Sequence, residues 1–495
     1  MEIPRYSRRV LLAGLMLVAL VLRLVALVQS ARLGADEAVE GLMARHILTA
    51  GELPAFYWGQ AFFGAAEAYL VAGLFFVFGF QPWLVFVPAV LASVVLVPLV
   101  WALAECLGPW PAGVFAALPV ALPPPVLSRM LGNAGGGFSL GFALEYAALL
   151  CFLRGRVAAC SLLAGLAVWV WQPALIGLTP ILLLVLLTRR PRAWQLALGG
   201  IGLAPMLAYN VAAGWPTPAW LVAKFHAQGT PPVGPLLLTV VGGGDETIGG
   251  VNPAQAALVS LASPAQAVAV GWLASRGGAG EWRARAVATA LLILVATLNT
   301  ISAHGSAHHL VPAALAGYAL SGASSALVAA RWRGGGLVLG LGLSLLVFGV
   351  GNLSAYADIP QVMAAEQLSG IEDTRAAIAA LDARGLSRGY ADYWTAYPII
   401  YLSDERIVVA PSLPLDWGAG VDRYPSYTRQ VEAVADPARV FLLLDRRCPV
   451  DGYLGVLDRA HASYRADDVG RWRLVWDIHA EPSTLSSVVG GPPTC

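Results

Sequence analysis

The chain has 495 residues, 58% of them hydrophobic and 12% charged, with a mean hydropathy of +0.68. A soluble domain carries about 25% charged residues, so a purely soluble protein is excluded. A net charge of +1 leaves neither the basic footprint of a nucleic-acid binder nor an acidic tail, and the five cysteines form no metal spacing and no redox CxxC pair. No P-loop and no internal repeat is visible.

The charges are unevenly placed: 12 in residues 1–83, 17 in 84–353 and 32 in 354–495. The expected fold is an α-helical polytopic membrane protein with an extracytoplasmic α/β domain at its C-terminal end. The membrane part is 1–353, with outer loops 29–83 and 214–254, and the α/β domain is 354–495. Apolar runs predict about eleven spans of ~20 residues. In chain order they are 10–28, 84–106, 110–126, 136–153, 157–171, 173–188, 193–213, 255–275, 285–303, 308–330 and 335–353. The first run has a basic flank and the look of a signal peptide, but Arg23 breaks its apolar core.

One further run, 64–80, is short and contains Glu67. The positive-inside rule decides it. With Arg5, Arg8 and Arg9 inside and 64–80 not crossing, basic residues outside the spans count 13 inside against 4 outside. If 64–80 crosses, the count becomes 5 against 12. The run is therefore read as a helix in the outer interface. That puts the N-terminus inside and the C-terminal domain outside, with all long polar segments on one face.

The first outer loop opens Asp36-Glu37-Ala38-Val39-Glu40. A helix is expected from Asp36 to Gly51, with Val39, Leu42, Met43, His46 and Ile47 on one stripe lying flat on the membrane. Asp36 and Glu40 are four apart and repel on a shared face. Three acids in five residues near hydrocarbon call for a cation, a shared proton or a substrate, or else they complement the helix dipole.

Asp36-Glu37-Ala38, then Met43 to Leu48, Gly51, Tyr57-Trp58-Gly59-Gln60 and Gly64 to Leu70 resemble the first loop of the GT-C glycosyltransferases. The pattern is similar to the protein O-mannosyltransferase and aminoarabinose transferase superfamily. The resemblance implies transfer of a sugar from a polyprenyl-phosphate donor to a lipid, glycan or protein acceptor at the outer face. It implies Asp36 as general base and inversion by one direct displacement. It also implies that Glu37 orients Asp36 or helps hold a divalent metal ion, and that Glu67 is a second first-loop acid. Glu40 and Gln60 are further substrate-side candidates. A bacterial cytoplasmic-membrane location follows from the same likeness.

The second outer loop, 127–137, departs from the family because it carries no acid. Arg129 and Asn133 are its strong polar groups; Arg129 suits a donor phosphate or snorkels at a helix end. Glu145 lies inside the next span. Further on, Lys224, the sole lysine, and His226 are phosphate-side candidates, while Asp245 and Glu246 form an acidic turn. His304, His308 and His309 offer a weak zinc spacing, and in the resembling family a basic pair sits where His308 and His309 stand. Trp58, Trp169 and Trp171 suit an interfacial belt or sugar stacking.

In the tail, a helix is expected over 364–384, strands over 389–393, 406–409, 440–444 and 472–478, and a helix over 427–434. Tyr390-Ala391-Asp392-Tyr393-Trp394 and Ser403-Asp404-Glu405-Arg406 resemble tail segments of the bacterial subgroup. They read as an aromatic, polar patch for a sugar or a partner, or as core. Cys448 and Cys495 are a possible disulfide pair. Two other functions stay open: a lipid-linked sugar transporter, and a binding protein that kept the fold without activity.

Overall fold

The described apolar runs fold as helices, and the polar last quarter carries a sheet. A computed structural model describes residues 4–30, 33–186, 191–220, 288–295, 311–331, 340, 342, 345, 351–356, 370–413, 421–446 and 450–489. The expected span 255–275, Lys224, His226, Asp245, Glu246, the three histidines 304, 308 and 309, and Cys448 and Cys495 lie outside the described residues.

Helix α1 is Arg5–Ser30, α2 Ala35–Thr49 and α3 Ala66–Phe78. Then come α4 Val87–Leu107, α5 Pro111–Ala121, α6 Pro125–Gly132, α7 Phe138–Leu153 and α8 Val157–Val170. They are followed by α9 Ala174–Leu184, α10 Ala193–Ala213, α11 Val311–Arg331 and α12 Gly351–Tyr356. Among the described residues, Tyr6–Ser30, Pro82–Leu107 and Ala193–Ala213 are long and apolar enough to cross a membrane, and the other apolar helices are shorter. The expected span 110–126 breaks at Pro123 and Pro124, and α6 begins beyond them. Helix α3 has 13 residues. It is thus about 20 Å long against a hydrocarbon core of ~30 Å, too short to cross upright.

The chain divides into two compact units. The first gathers Met1–Ser30, Ala61–Glu67 and Phe86–Glu366. Within it α4 packs against α1, α5 and α7, and α8 packs against α7 and α10. Glycines set the closest approach: a Cβ on Gly165 would stand 2.2 Å from the Gly199 carbonyl oxygen. Small residues let two apolar helices bring their backbones together where burial gives no drive in lipid. Arg23 is fully buried. It donates from Nε to Ser93 Oγ at 2.7 Å and from Nη2 to the Val120 carbonyl at 3.1 Å, which ties α1 to α4 and α5.

The second unit gathers Ala31–Gln60, Ala68–Val85 and Gln367–Cys495. First-loop residues therefore fold together with the C-terminal region. The tail elements are α13 Ile371–Asp382, β1 Arg388–Ala391, α14 Tyr393–Leu402, β2 Val408–Ala410, α15 Pro425–Glu432 and β3 Phe441–Asp445. Last come α16 Val450–Arg459, β4 Ser463–Val469, β5 Trp472–His479 and α17 Pro482–Val489. The sheet runs β2-β1-β3-β5-β4. Strand β1 is parallel to β2 and β3, while β5 is antiparallel to β3 and β4. The all-apolar run before Asp445 suits the inner strand β3, buried along its whole length. The five predicted tail elements near β1, β2, α15, β3 and β5 are present, and the helix expected over 364–384 is described as α13. The expectation missed α14, α16, β4 and α17.

Candidate active site around Asp36

Helix α2 starts after Gly34, with Asp36 and Glu37 in its first turn, where backbone N–H groups and the helix dipole favour carboxylates. The apolar stripe does not lie on a membrane surface: Val39, Leu42 and Met43 are fully buried, and so is Glu40 on the same helix. The cover comes from α14, against which α2 packs. Gly41 makes the approach possible, because a Cβ there would meet Tyr401 Cε2 at 2.4 Å.

The Asp36 carboxylate is partly exposed, and its two oxygens are treated differently. Tyr393 donates its hydroxyl to Oδ1. Tyr57 donates to the Asp36 carbonyl at 2.9 Å and reaches Oδ1 at 3.4 Å. No described residue hydrogen-bonds Oδ2. Behind Tyr393 stands Arg423, whose Nε donates to the Tyr393 hydroxyl at 3.3 Å and whose Nη1 donates to Gln60 Oε1 at 2.8 Å. The guanidinium lies over the Tyr57 and Tyr393 rings, 5.2 and 5.6 Å from their centroids. Gly59, at φ +70°, lets the loop pass: a Cβ there would sit 2.8 Å from Arg423 Cα.

The cation that three clustered acids called for is thus Arg423, nearly 400 residues along the chain. Burial and the Asp36 charge push both phenols, Tyr57 and Tyr393, well above their ordinary value, so both stay protonated as donors. Burial opposes the Arg423 charge, but the facing tyrosines and Asp36 outweigh it and hold the cation in place.

Nearly three turns along α2 from Asp36 is a second polar cluster. His46 Nδ1 faces Glu52 Oε1 and Nε2 faces Glu405 Oε1, both at 2.9 Å. Tyr424 donates to Glu52 at 2.8 Å and Tyr427 to Glu405 at 2.7 Å. Arg45 pairs with Asp404. Asp404 and Glu405 are consecutive non-glycine residues at φ +55° and +61°, a conformation costing of order 1–3 kcal/mol each. Their ion pairs to α2 hold that turn. Trp58 stacks on Tyr424 at 4.2 Å with His46 on its edge, so its ring is engaged with protein aromatics.

In the first unit, Glu67 opens α3 and is fully buried. Its Oε2 accepts the Gly135 and Gly137 amides at 3.3 and 3.1 Å. Gly135, Gly136 and Gly137 all have positive φ, at 98°, 111° and 64°. Only glycine takes such a run without strain, and the amides then converge as an anion nest. The segment 127–137 lacks its own acid, and Glu67 supplies one. Arg129 lies in the last turn of α6 and Asn133 is its C-cap; both are half-buried. Glu145 is buried in α7. Trp171 is fully buried and stacked on Phe63 at 5.2 Å, which corrects its expected place in a belt.

Replacing Glu67 by Ala leaves two buried amides unpaired, at about 1–3 kcal/mol each. The expected result is a drop of several degrees in the thermal midpoint in detergent, with Glu67→Gln intermediate because its amide oxygen still accepts. An unchanged midpoint for Glu67→Ala would refute the nest.

Of the expected site residues, the fold brings Asp36 and Gln60 into one network and Glu67 to the second-loop glycines. Glu37 is buried with its carboxylate folded back toward Gly34. The described residues do not fit a resident metal. No group of three or more His, Cys, Asp or Glu is placed to hold one, and Oδ1 of Asp36 is occupied by O–H donors. Sequence reasoning missed Tyr393 as a partner of Asp36, and it missed Arg423 altogether. The tail motif containing Tyr393 was the available signal.

This arrangement of helices and sheet is a fold shared with solved membrane-protein structures. The chain superposes on the crystal structure of ArnT, an aminoarabinose transferase, from Cupriavidus metallidurans bound to undecaprenyl phosphate. The TM-score is 0.63 with 15% identity, over 99% of this chain and 100% of that one. It also superposes on the archaeal oligosaccharyltransferase AglB from Archaeoglobus fulgidus in complex with an inhibitory peptide and a dolichol-phosphate. There the TM-score is 0.51 with 12% identity, over 96% of this chain and 74% of that one. No protein-family model matches the sequence, and no curated protein sequence matches it.

Proposed function

We propose that this protein transfers a sugar from a polyprenyl-phosphate donor to an acceptor hydroxyl at the outer face of a membrane, with Asp36 as general base. The observation that carries the reading is the asymmetric carboxylate: Oδ1 is fixed by phenol donors and Oδ2 is open, at the start of a first-loop helix in a GT-C fold. The lipid phosphates bound to the two structural neighbours support the donor class.

The step is a single displacement. The acceptor oxygen bonds to the anomeric carbon as its proton passes to Asp36 Oδ2. The bond from that carbon to the phosphate oxygen breaks, and the electron pair leaves with the polyprenyl phosphate. One displacement inverts the anomeric centre. A positioned base contributes about 10²–10⁴-fold, and the leaving phosphate needs N–H donors or positive charge. Arg129, Asn133, Lys224, His226, His308 and His309 are assigned to that donor side, and Glu37 and Glu40 to support of Asp36. The setting is the bacterial cytoplasmic membrane, crossed about eleven times, with the N-terminus inside and 354–495 outside. The transferred group is a hexosyl or pentosyl unit.

The test uses purified protein in lipid with undecaprenyl-phosphate-linked mannose, glucose, arabinose and 4-amino-arabinose, and follows release of undecaprenyl phosphate in an envelope extract. Release from one donor is expected. Tight donor binding without release from any of them would overturn the transferase reading in favour of transport or binding.

A further inference from the structure

The C-terminal region is more than an appendage to the first loop, because it reaches the reacting carboxylate. Two of its residues, Tyr393 and Arg423, form a chain with a fixed donor order. A guanidinium has no acceptor, so the contact from Arg423 Nε to the Tyr393 oxygen at 3.3 Å uses a lone pair of that oxygen. The single phenol proton must then point to Asp36 Oδ1, where the structure places it. Tyr393 can therefore serve Asp36 only as a donor.

Arg423 is itself held at several points. Nη1 is on Gln60 and the ring faces of Tyr57 and Tyr393 lie under the guanidinium. The backbone amide donates to the Tyr397 hydroxyl at 2.7 Å. Gly59 lies against its Cα. The ionisable groups facing Asp36 are Tyr57, Tyr393 and Arg423, with Glu40 one turn along α2 and acting on Tyr57.

We propose that Tyr393 and Arg423 are positioning residues of the reaction, which fix Asp36 through Oδ1 so that Oδ2 faces the acceptor hydroxyl. The inference rests on Asp36 being the base. It implies that a region far along the chain completes the site, and that the first loop alone is not competent.

The test is kinetic, with the undecaprenyl-phosphate-linked sugar that turns over in the panel above and the full chain in lipid. Tyr393→Phe removes one hydroxyl and keeps the ring contacts with Tyr397 and Trp394. Its kcat is expected to fall about 10–100-fold with donor KM within about twofold. The thermal midpoint of Tyr393→Phe should stay close to that of the wild type, because the ring contacts are kept. A merely structural role would instead lower the thermal midpoint and raise the donor KM along with any loss of kcat. Arg423→Gln should lose activity to at least the same extent, and Arg423→Lys should recover part of it, since a lysine keeps the charge but not the fork that holds Tyr393 and Gln60 together. Wild-type kcat in Tyr393→Phe, with Asp36→Asn inactive, would overturn this inference alone. Turnover in Asp36→Asn would instead overturn the base assignment beneath it.

Discussion

Asp36→Asn is expected to lower turnover about 10²–10⁴-fold while donor binding and the thermal midpoint stay at wild-type values. An asparagine keeps a carbonyl oxygen where Oδ1 stands, so it still accepts from Tyr393 and Tyr57. The change falls on the other position, where an open lone pair becomes an N–H₂ that can only donate. The fold around α2 is spared and the proton has nowhere to go. Release of undecaprenyl phosphate, measured beside donor binding by the same preparation, separates the two. A transporter would keep its flux in this variant, and a variant that releases lipid phosphate at the wild-type rate would remove Asp36 from the chemistry.

The second large effect concerns His46. Burial lowers its affinity for a proton, but the hydrogen bonds and charges of Glu405 and Glu52 outweigh burial and raise it above the ordinary 6.5. Only the doubly protonated ring donates to both carboxylates. Its contribution is therefore complete below about pH 6.5 and is lost as pH rises through the raised folded value. Glu405 behaves oppositely. Burial raises it, but the bonds from His46 and Tyr427 bring it below the ordinary 4.5. Its contribution is present above about 4.5 and is lost as pH falls through the lower folded value. The cluster is thus strongest between these limits.

His46→Ala should lower stability by about 2 kcal/mol at pH 6, the order of one hydrogen bond to a charged group, since both glutamates keep some solvent contact. Thermal midpoints from pH 5.5 to 9 check this. The wild-type curve should decline with rising pH more steeply than that of the variant, and parallel curves would show that His46 does not titrate in the cluster.

Much of the local structure could be read from residues alone. Asp36 opening a helix that ends near Gly51 matches Ala35–Thr49, because first-turn acids and a final glycine are signals carried within a few residues. The helix expected at 64–80 is present as Ala66–Phe78, and strand β3 was visible as an unbroken apolar run. Helix α14 was not read, because Tyr393-Trp394 and Pro398 argue against helix locally. Its N-cap was nonetheless legible: Asp392 accepts the Thr395 amide at 3.1 Å. Strand β4 alternates polar residues at a sheet edge and has no apolar face to announce it.

The site was legible by half. Asp36 stood out as one of three acids in five residues that lacked a cation. The cation could not be found, because no spacing rule links position 36 to position 423; only the folded chain brings them together. Glu67 was noted, but its partners are backbone amides, which the sequence records merely as Gly135-Gly136-Gly137.

The bond from Arg45 to Asp404 spans 359 residues. At ribosomal rates of 5–20 residues per second, roughly 20–70 s pass between synthesis of the two partners. During that interval α2 has emerged with Glu37, Glu40 and His46 but without the strands and helices that enclose them. The earliest loop of the chain is thus among the last parts to mature. A nonsense codon before position 393 would release a chain that carries α2 but lacks α14, the helix that covers it.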